Sequence, residues 1–342
     1  MMNEELYKEI KANWDNLAKP LDSMGVFEDI LSRIGAIRED VSIDISPAAL
    51  AVLIADNGII KEGVSQSDET VTRNVAKAIG EGKSSVCHMA RAAGIRIYPY
   101  NIGMKLPGGI PGIDDRFFVA DGTRSFVDAP ALIHADLTKA IENGRQIARD
   151  IYNDGNKIIL LGEMGIGNTT TSTAVIASLL HLPAEAICGR GAGLSDDGFE
   201  CKKNVISRAI DKYDLINADA MKILETVGGF DIAAMVGIIL ESQALGVPVI
   251  IDGLITAAAA LVALRLCPST RDIVFFSHKG REKGIMTVAD CFGQIPVIDA
   301  SLALGEGTGA VLFYTLLTNV TTLYHGGTKF ADMEIEKYQR YK

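Results

Sequence analysis

A chain of 342 residues, 48% of them hydrophobic, has ample apolar material for a large core; its length suggests about two domains, or one large α/β unit with an accessory part. A formal net charge of -10 argues against general nucleic-acid binding, which draws on a basic surface, yet a few local donors could still hold one small anion. Five scattered cysteines (Cys87, Cys188, Cys201, Cys267, Cys291) without a CxxC pair, and no signal peptide, point to a reducing cytoplasm.

In chain order, the charged start "MMNEELYKEIKANW" sets Leu6, Ile10, Trp14 and Leu17 at helical spacing, and the first stretch reads as two helices without βα alternation. Short apolar runs then recur at 49–58, 94–103, 157–165, 247–253 and 272–278, each ending in polar residues or glycine before a helical pattern. Fully apolar strands alternating with helices predict an α/β fold: a mostly parallel, Rossmann-like sheet covered by helices on both faces. Ligands of such sheets bind at the carboxyl ends of the strands, so Asp56, Asn57, Asn101, Glu163, Asp252, Ser277 and His278 are expected along one edge. The segment 104–128, rich in Gly, Pro and Asp, is long enough for a functional loop or lid.

The most apolar region, "IAAMVGIILESQALGVPVIIDGLITAAAALVAL", is interrupted by Glu241, Pro248 and Asp252. It never reaches the roughly 18 apolar residues of a membrane span and reads as helix–strand–helix, so no membrane association is expected. A long helix follows Gly307. The expected division is a small helical domain from 1–45 plus 315–342 and a large α/β domain over 46–314.

Three glycine-rich stretches carry candidate chemistry. In "IILLGEMGIGNTTTST" (158–173), Gly162 and Gly167 have the spacing of a phosphate-cradling loop, with Asn168 where the lysine of that motif belongs. Backbone N–H groups at such a helix start can face an anion, and Thr169, Thr170 and Thr171 add hydroxyls. Without the lysine the loop suits one phosphate better than a triphosphate, and the same spacing also fits a plain strand–helix turn. The stretch 189–205 offers Arg190, Lys202 and Lys203. "LALGEGTGAVL" (302–312) sets Glu306 between glycines before the last helix, either as a site carboxylate or as an ordinary early-turn residue. His88, His134, His181, His278 and His325 show no metal-ligand spacing, so neither metal nor cofactor is expected.

Taken in order, "ADNG…EGVS" (55–65), "GEMGIGNTTT" (162–171), "GRGAGL" (189–194), "IDGLI" (251–255) and "LGEGTGA" (304–310) resemble the nicotinate-nucleotide–dimethylbenzimidazole phosphoribosyltransferase family, from about "LDSMG" (21–25) to Glu306. The resemblance implies a pentosyltransferase of cobamide biosynthesis. It would move phosphoribose from nicotinate mononucleotide to a ring nitrogen of dimethylbenzimidazole or a related base, leaving nicotinate and an α-ribazole phosphate. It implies Glu306 as general base and Glu163 beside the ribose and base. Gly165, Gly167, Asn168, Thr169 and Thr170 would face the donor nucleotide, with Lys202 (Lys203 as fallback) near its phosphate. Asp231, Asp252 and Gly253 would edge the site, Leu304 and Gly305 would flank Glu306, and Ser277 with His278 would approach the phosphate. Asp231 as a helix N-cap and His278 as a structural histidine are the plainer alternatives. A homodimer is also implied.

The chemistry agrees with the residues. Breaking an N-glycosidic bond develops oxocarbenium-like charge, a carboxylate can take the acceptor's proton, and a pyridinium leaving group needs no general acid. Two departures fall on the acceptor side: Asn57 stands where many relatives have histidine, and "EGVSQSDETVT" (62–72, with Glu69) replaces a segment that more often carries an aromatic or proline and a glutamine. A purine or phenolic acceptor is therefore an alternative to a benzimidazole. A non-catalytic nucleotide- or base-binding protein is the other reading, and an NTPase lacks its lysine.

Overall fold

The computed structural model describes residues 2–105, 109–191 and 193–340. Residues 106–108 of the expected loop 104–128, and residue 192 within "GRGAGL", lie outside the described residues. Five strands, β1 (Ala48–Ala55), β2 (Arg96–Gly103), β3 (Ile158–Met164), β4 (Val249–Ile251) and β5 (Val274–Phe276), form one parallel sheet in the order β2-β1-β3-β4-β5. This is the expected architecture, with its topological switch between β1 and β3.

The strand period of two divides the core. On β1, Ala49, Ala51, Leu53 and Ala55 face one apolar cluster, and Ala48, Leu50, Val52 and Ile54 face the other. Every residue of β1 is buried, which is why the strand reads as an unbroken apolar run. The first cluster is closed by helices that include His134–Asn153, Asn168–Leu180, Phe230–Leu245 and Leu254–Leu266. The second is closed by Glu4–Asp15, Val26–Ile37, Ser85–Ala92 and Thr308–Gly326 among others.

The chain ends meet. Trp14 and Tyr324 pack with ring centroids 4.8 Å apart, and Leu17 bridges to Lys329. Ile10, Trp14, Leu31 and Ile34 share one apolar cluster with Phe313, Leu317 and the sheet residues Leu50 and Val52. The boundary expected at 314/315 falls inside the helix Thr308–Gly326, whose buried side runs across it. Among the described residues no helix is long and apolar enough to cross a membrane.

A second parallel pair, β6 (His278–Gly280) and β7 (Ile298–Leu302), lies outside what the apolar runs predict. β7 exposes Asp299, Ala300 and Ser301 and so carries no buried apolar run. The run 272–278, expected as one strand, ends at Phe276, and the chain resumes at His278 in the other pair.

Candidate active site

The carboxyl ends of the strands open into a cavity of about 640 Å³. Its wall combines the segment after β1 (Val64–Gln66), the turn after β3 (Glu163–Thr169), parts of 189–194, the start of the helix after β4 (Asp252–Thr256), residues around β6 and the loop Leu302–Glu306 after β7. The placement follows from the parallel sheet, whose polar run-ends all lie on one edge.

The turn after β3 shows what replaces the lysine. Gly167 adopts φ +96°, a left-handed conformation that glycine enters freely, and starts the helix Asn168–Leu180. The Asn168 side-chain amide donates to the Glu163 carboxylate and, at 3.2 Å, to Oδ2 of Asp231. A neutral two-proton donor thus bridges two buried acids. Gly162 serves proximity: a Cβ there would lie 2.4 Å from the carbonyl oxygen of Glu306.

Burial dominates the electrostatics. It pushes Glu163 up to about 8, reinforced by the charges of Asp231, Asp252 and Glu306 and opposed by the Asn168 hydrogen bond. It likewise pushes Asp231 up to about 6. Asp252 is raised by burial against His278 and three backbone N–H donors, and His278 is lowered by burial against the pull of Asp252.

Glu306 lines the cavity from the loop packed against Gly162, in the left-handed region, φ +60°, between Gly305 at +84° and Gly307 at +92°. A non-glycine residue seldom adopts this conformation, and such strain collects at functional sites. The N–H of Val86 donates to its Oε2 at 3.5 Å. Asp252 accepts from Gly307 N (3.2 Å), Gly309 N (2.7 Å) and Ala310 N (3.1 Å).

Ten of the sequence-predicted residues line the cavity together: Glu163, Gly165, Gly167, Asn168, Thr169, Asp252, Gly253, Leu304, Gly305 and Glu306. His278 joins them, and Ser277 lies buried behind it, its Oγ 2.9 Å from His278 Nδ1. Lys202 is buried behind the wall, where Nζ donates to Thr169 Oγ1 (2.9 Å) and to the Gly189 carbonyl (3.1 Å), and burial lowers its pKa. Lys203 turns away to Glu200 and the Phe199 ring.

Four other expected residues do not reach the cavity wall. Asp231 sits in the first turn of Phe230–Leu245 and accepts the N–H of Ile232; Gly229 holds the cap position, so the N-cap alternative is corrected. Thr170 is buried within its helix, with no partner for Oγ1 among the described residues. Asn57 is buried under Gly165, its amide likewise without a partner among them. Glu69 begins the helix Glu69–Gly80 and pairs with Lys105 at 3.8 Å.

Gln66, Arg281 and Glu282 line the cavity without having been singled out, and Glu282 Oε1 accepts the N–H of Gly191 at 3.1 Å. The strand-end rule would have found Arg281 and Glu282 had the chain been followed past His278.

Comparison with known proteins bears on the chain as a whole. A family model described as phosphoribosyltransferase matches residues 1–335. A nicotinate-nucleotide–dimethylbenzimidazole phosphoribosyltransferase of Acetivibrio thermocellus is 35% identical over 339 residues, covering 98% of this chain and 96% of its own. One from Thermus thermophilus is 34% identical over 329 residues, covering 96% and 97%. A crystal structure of CobT from Thermus thermophilus superposes with a TM-score of 0.92 at 32% identity, covering 98% of this chain and all of that one. Matched along nearly its whole length in sequence and in fold, the chain belongs to the nicotinate-nucleotide–dimethylbenzimidazole phosphoribosyltransferase family.

Proposed function

We propose that this protein transfers phosphoribose from nicotinate mononucleotide to a ring nitrogen of dimethylbenzimidazole or a related base, releasing nicotinate. The observation that carries this reading is a pair of acidic side chains, Glu163 and Glu306, brought together from neighbouring segments to line one cavity that also holds a glycine-turn helix start. In this reading the donor phosphate lies near Thr169 and the 189–191 backbone, with the Lys202 ammonium behind them. The acceptor nitrogen attacks C1′, the glycosidic electron pair returns to the pyridinium nitrogen, and Glu306 takes the proton from the acceptor's N–H. Glu163, whose pKa burial pushes up to about 8, faces the sugar in this reading.

Glu306→Gln tests the assignment. Nicotinate release is expected to fall about 10²–10⁴-fold, the usual contribution of general-base catalysis, while calorimetric binding of nicotinate mononucleotide persists. Unchanged turnover would remove Glu306 from the role. If the unsubstituted protein binds the nucleotide but releases no nicotinate with any base, the non-catalytic reading holds instead.

The acceptor side rests on Val64, Ser65 and Gln66 at the cavity wall, within the segment that departs from many relatives. A competition among dimethylbenzimidazole, other benzimidazoles, adenine and phenol tests whether the preferred base differs from dimethylbenzimidazole; clear preference for dimethylbenzimidazole would end the case for altered specificity. A homodimer is supported by Leu312, Leu316 and Leu323, exposed along the outer side of the last helix, with Leu304 exposed at the cavity wall. Sedimentation velocity checks it. Five free cysteines support a cytoplasmic location, which cell fractionation would test.

A further inference from the structure

We propose that Asp252 is a positioning residue for Glu306: from the end of β4 it clasps the N-terminus of the helix Thr308–Gly326 and so holds the preceding loop in the left-handed shape that presents Glu306 to the cavity. This builds on the reading of Glu306 as the base.

The start of a helix leaves N–H groups with no partner inside the helix. Here each is accounted for. Asp252 Oδ1 takes Gly309 N and Ala310 N, and Oδ2 takes Gly307 N. Thr308 N goes to the Gly305 carbonyl and Val311 N to that of Gly307. The usual capping residue is the one just before the helix, but Gly307 occupies that place and has no side chain to offer. A carboxylate 55 residues away in sequence fills the role instead, and the dipole of a long helix favours its charge.

The glycines of "GEGTG" follow from this arrangement. Gly305 and Gly307 supply the positive φ on both sides of Glu306. Gly309 supplies space: a Cβ there would lie 2.9 Å from Asp252 Oδ1 and 2.1 Å from His278 Nδ1. Gly162 completes the mould from the β3 side by admitting the Glu306 carbonyl. A strained residue persists only when its surroundings over-determine it, and Asp252 and Gly162 are two of the surfaces that bound this loop.

The rival assignment is direct contact of Asp252 with the substrate, since it also borders the cavity. A double-mutant cycle with nicotinate release as the readout separates the two. Asp252→Asn keeps the shape but turns a nitrogen toward backbone N–H donors. It is expected to lower kcat about 10–100-fold through misplacement of the base, with KM for nicotinate mononucleotide little changed. In a Glu306→Gln background the same change is expected to cost nothing further. An additive loss, a raised KM at unchanged kcat, or a wild-type kcat would each overturn the proposal.

Gly309→Ala, which leaves Asp252 in place but crowds the clasp, is expected to repeat the kcat loss. In the unsubstituted protein the amides of Gly307, Gly309 and Ala310 are expected to be protected from hydrogen exchange. Fast exchange there overturns the clasp however the variants fold. If the unsubstituted protein releases no nicotinate, it is the function proposed above that fails, while the exchange result still judges the clasp.

Discussion

Alanine at Gly162 adds one methyl where two backbones cross. The new Cβ would stand 2.4 Å from the Glu306 carbonyl oxygen, 2.8 Å from its carbon and 3.1 Å from Gly307 N. None of these atoms belongs to a side chain that could swing aside. β3 lies between β1 and β4 and is paired on both sides, so the sheet yields less readily than the loop. Restoring an ordinary 3.4 Å contact from 2.4 Å moves the Glu306 loop by about 1 Å. Overpacking of this kind costs about 1–3 kcal/mol of stability. A displacement of about 1 Å at a catalytic carboxylate costs on the order of 10²-fold in rate. Urea unfolding of Gly162→Ala reads the first quantity, and steady-state nicotinate release reads the second. A lowered midpoint with unchanged kcat would refute the link between Gly162 and Glu306, and an unchanged midpoint as well would refute the steric argument.

Two further outcomes are expected. Because Glu163 and Asp231 have raised pKa values when folded (about 8 and about 6), the folded chain holds more protons than the unfolded chain from about pH 4 to pH 8; stability from these groups is complete below that window and is lost as pH rises through it. Urea midpoints from pH 5 to 8 should fall, and Glu163→Gln should flatten the slope; an equal slope in the variant would show that other groups set it. Asn168→Asp removes the donor shared by two buried acids and adds a third carboxylate, so a loss of about 3–5 kcal/mol is expected at pH 8 and a smaller one at pH 5. Thermal melts at both pH values check this, and equal losses would mean that the three groups do not interact.

Much of the architecture was legible because it follows from local periods. The apolar runs of β1 and of the first four residues of β3 imply burial on both faces, hence parallel strands under helices, hence polar run-ends along one edge. Glu163, Asp252 and His278 were found in that way, and the order of the glycine motifs pointed to the family. β7 was missed because its exposed residues leave no such period.

What each group does in the site was decided by contacts between distant segments. Asn168 stands where a phosphate loop has its lysine, and its amide is taken up by Glu163 and by Asp231, 63 residues on. Gly162 looked like the first glycine of that loop, yet what demands it is the backbone of Glu306. Lys202 and Lys203 are neighbours in sequence, and only the fold sends one behind the cavity wall to Thr169 and the other to Glu200. A helical or extended period depends on the backbone and nearest neighbours and can be read along the chain. The partner of a buried acid depends on which surfaces the whole core brings together, and no stretch of sequence carries that on its own.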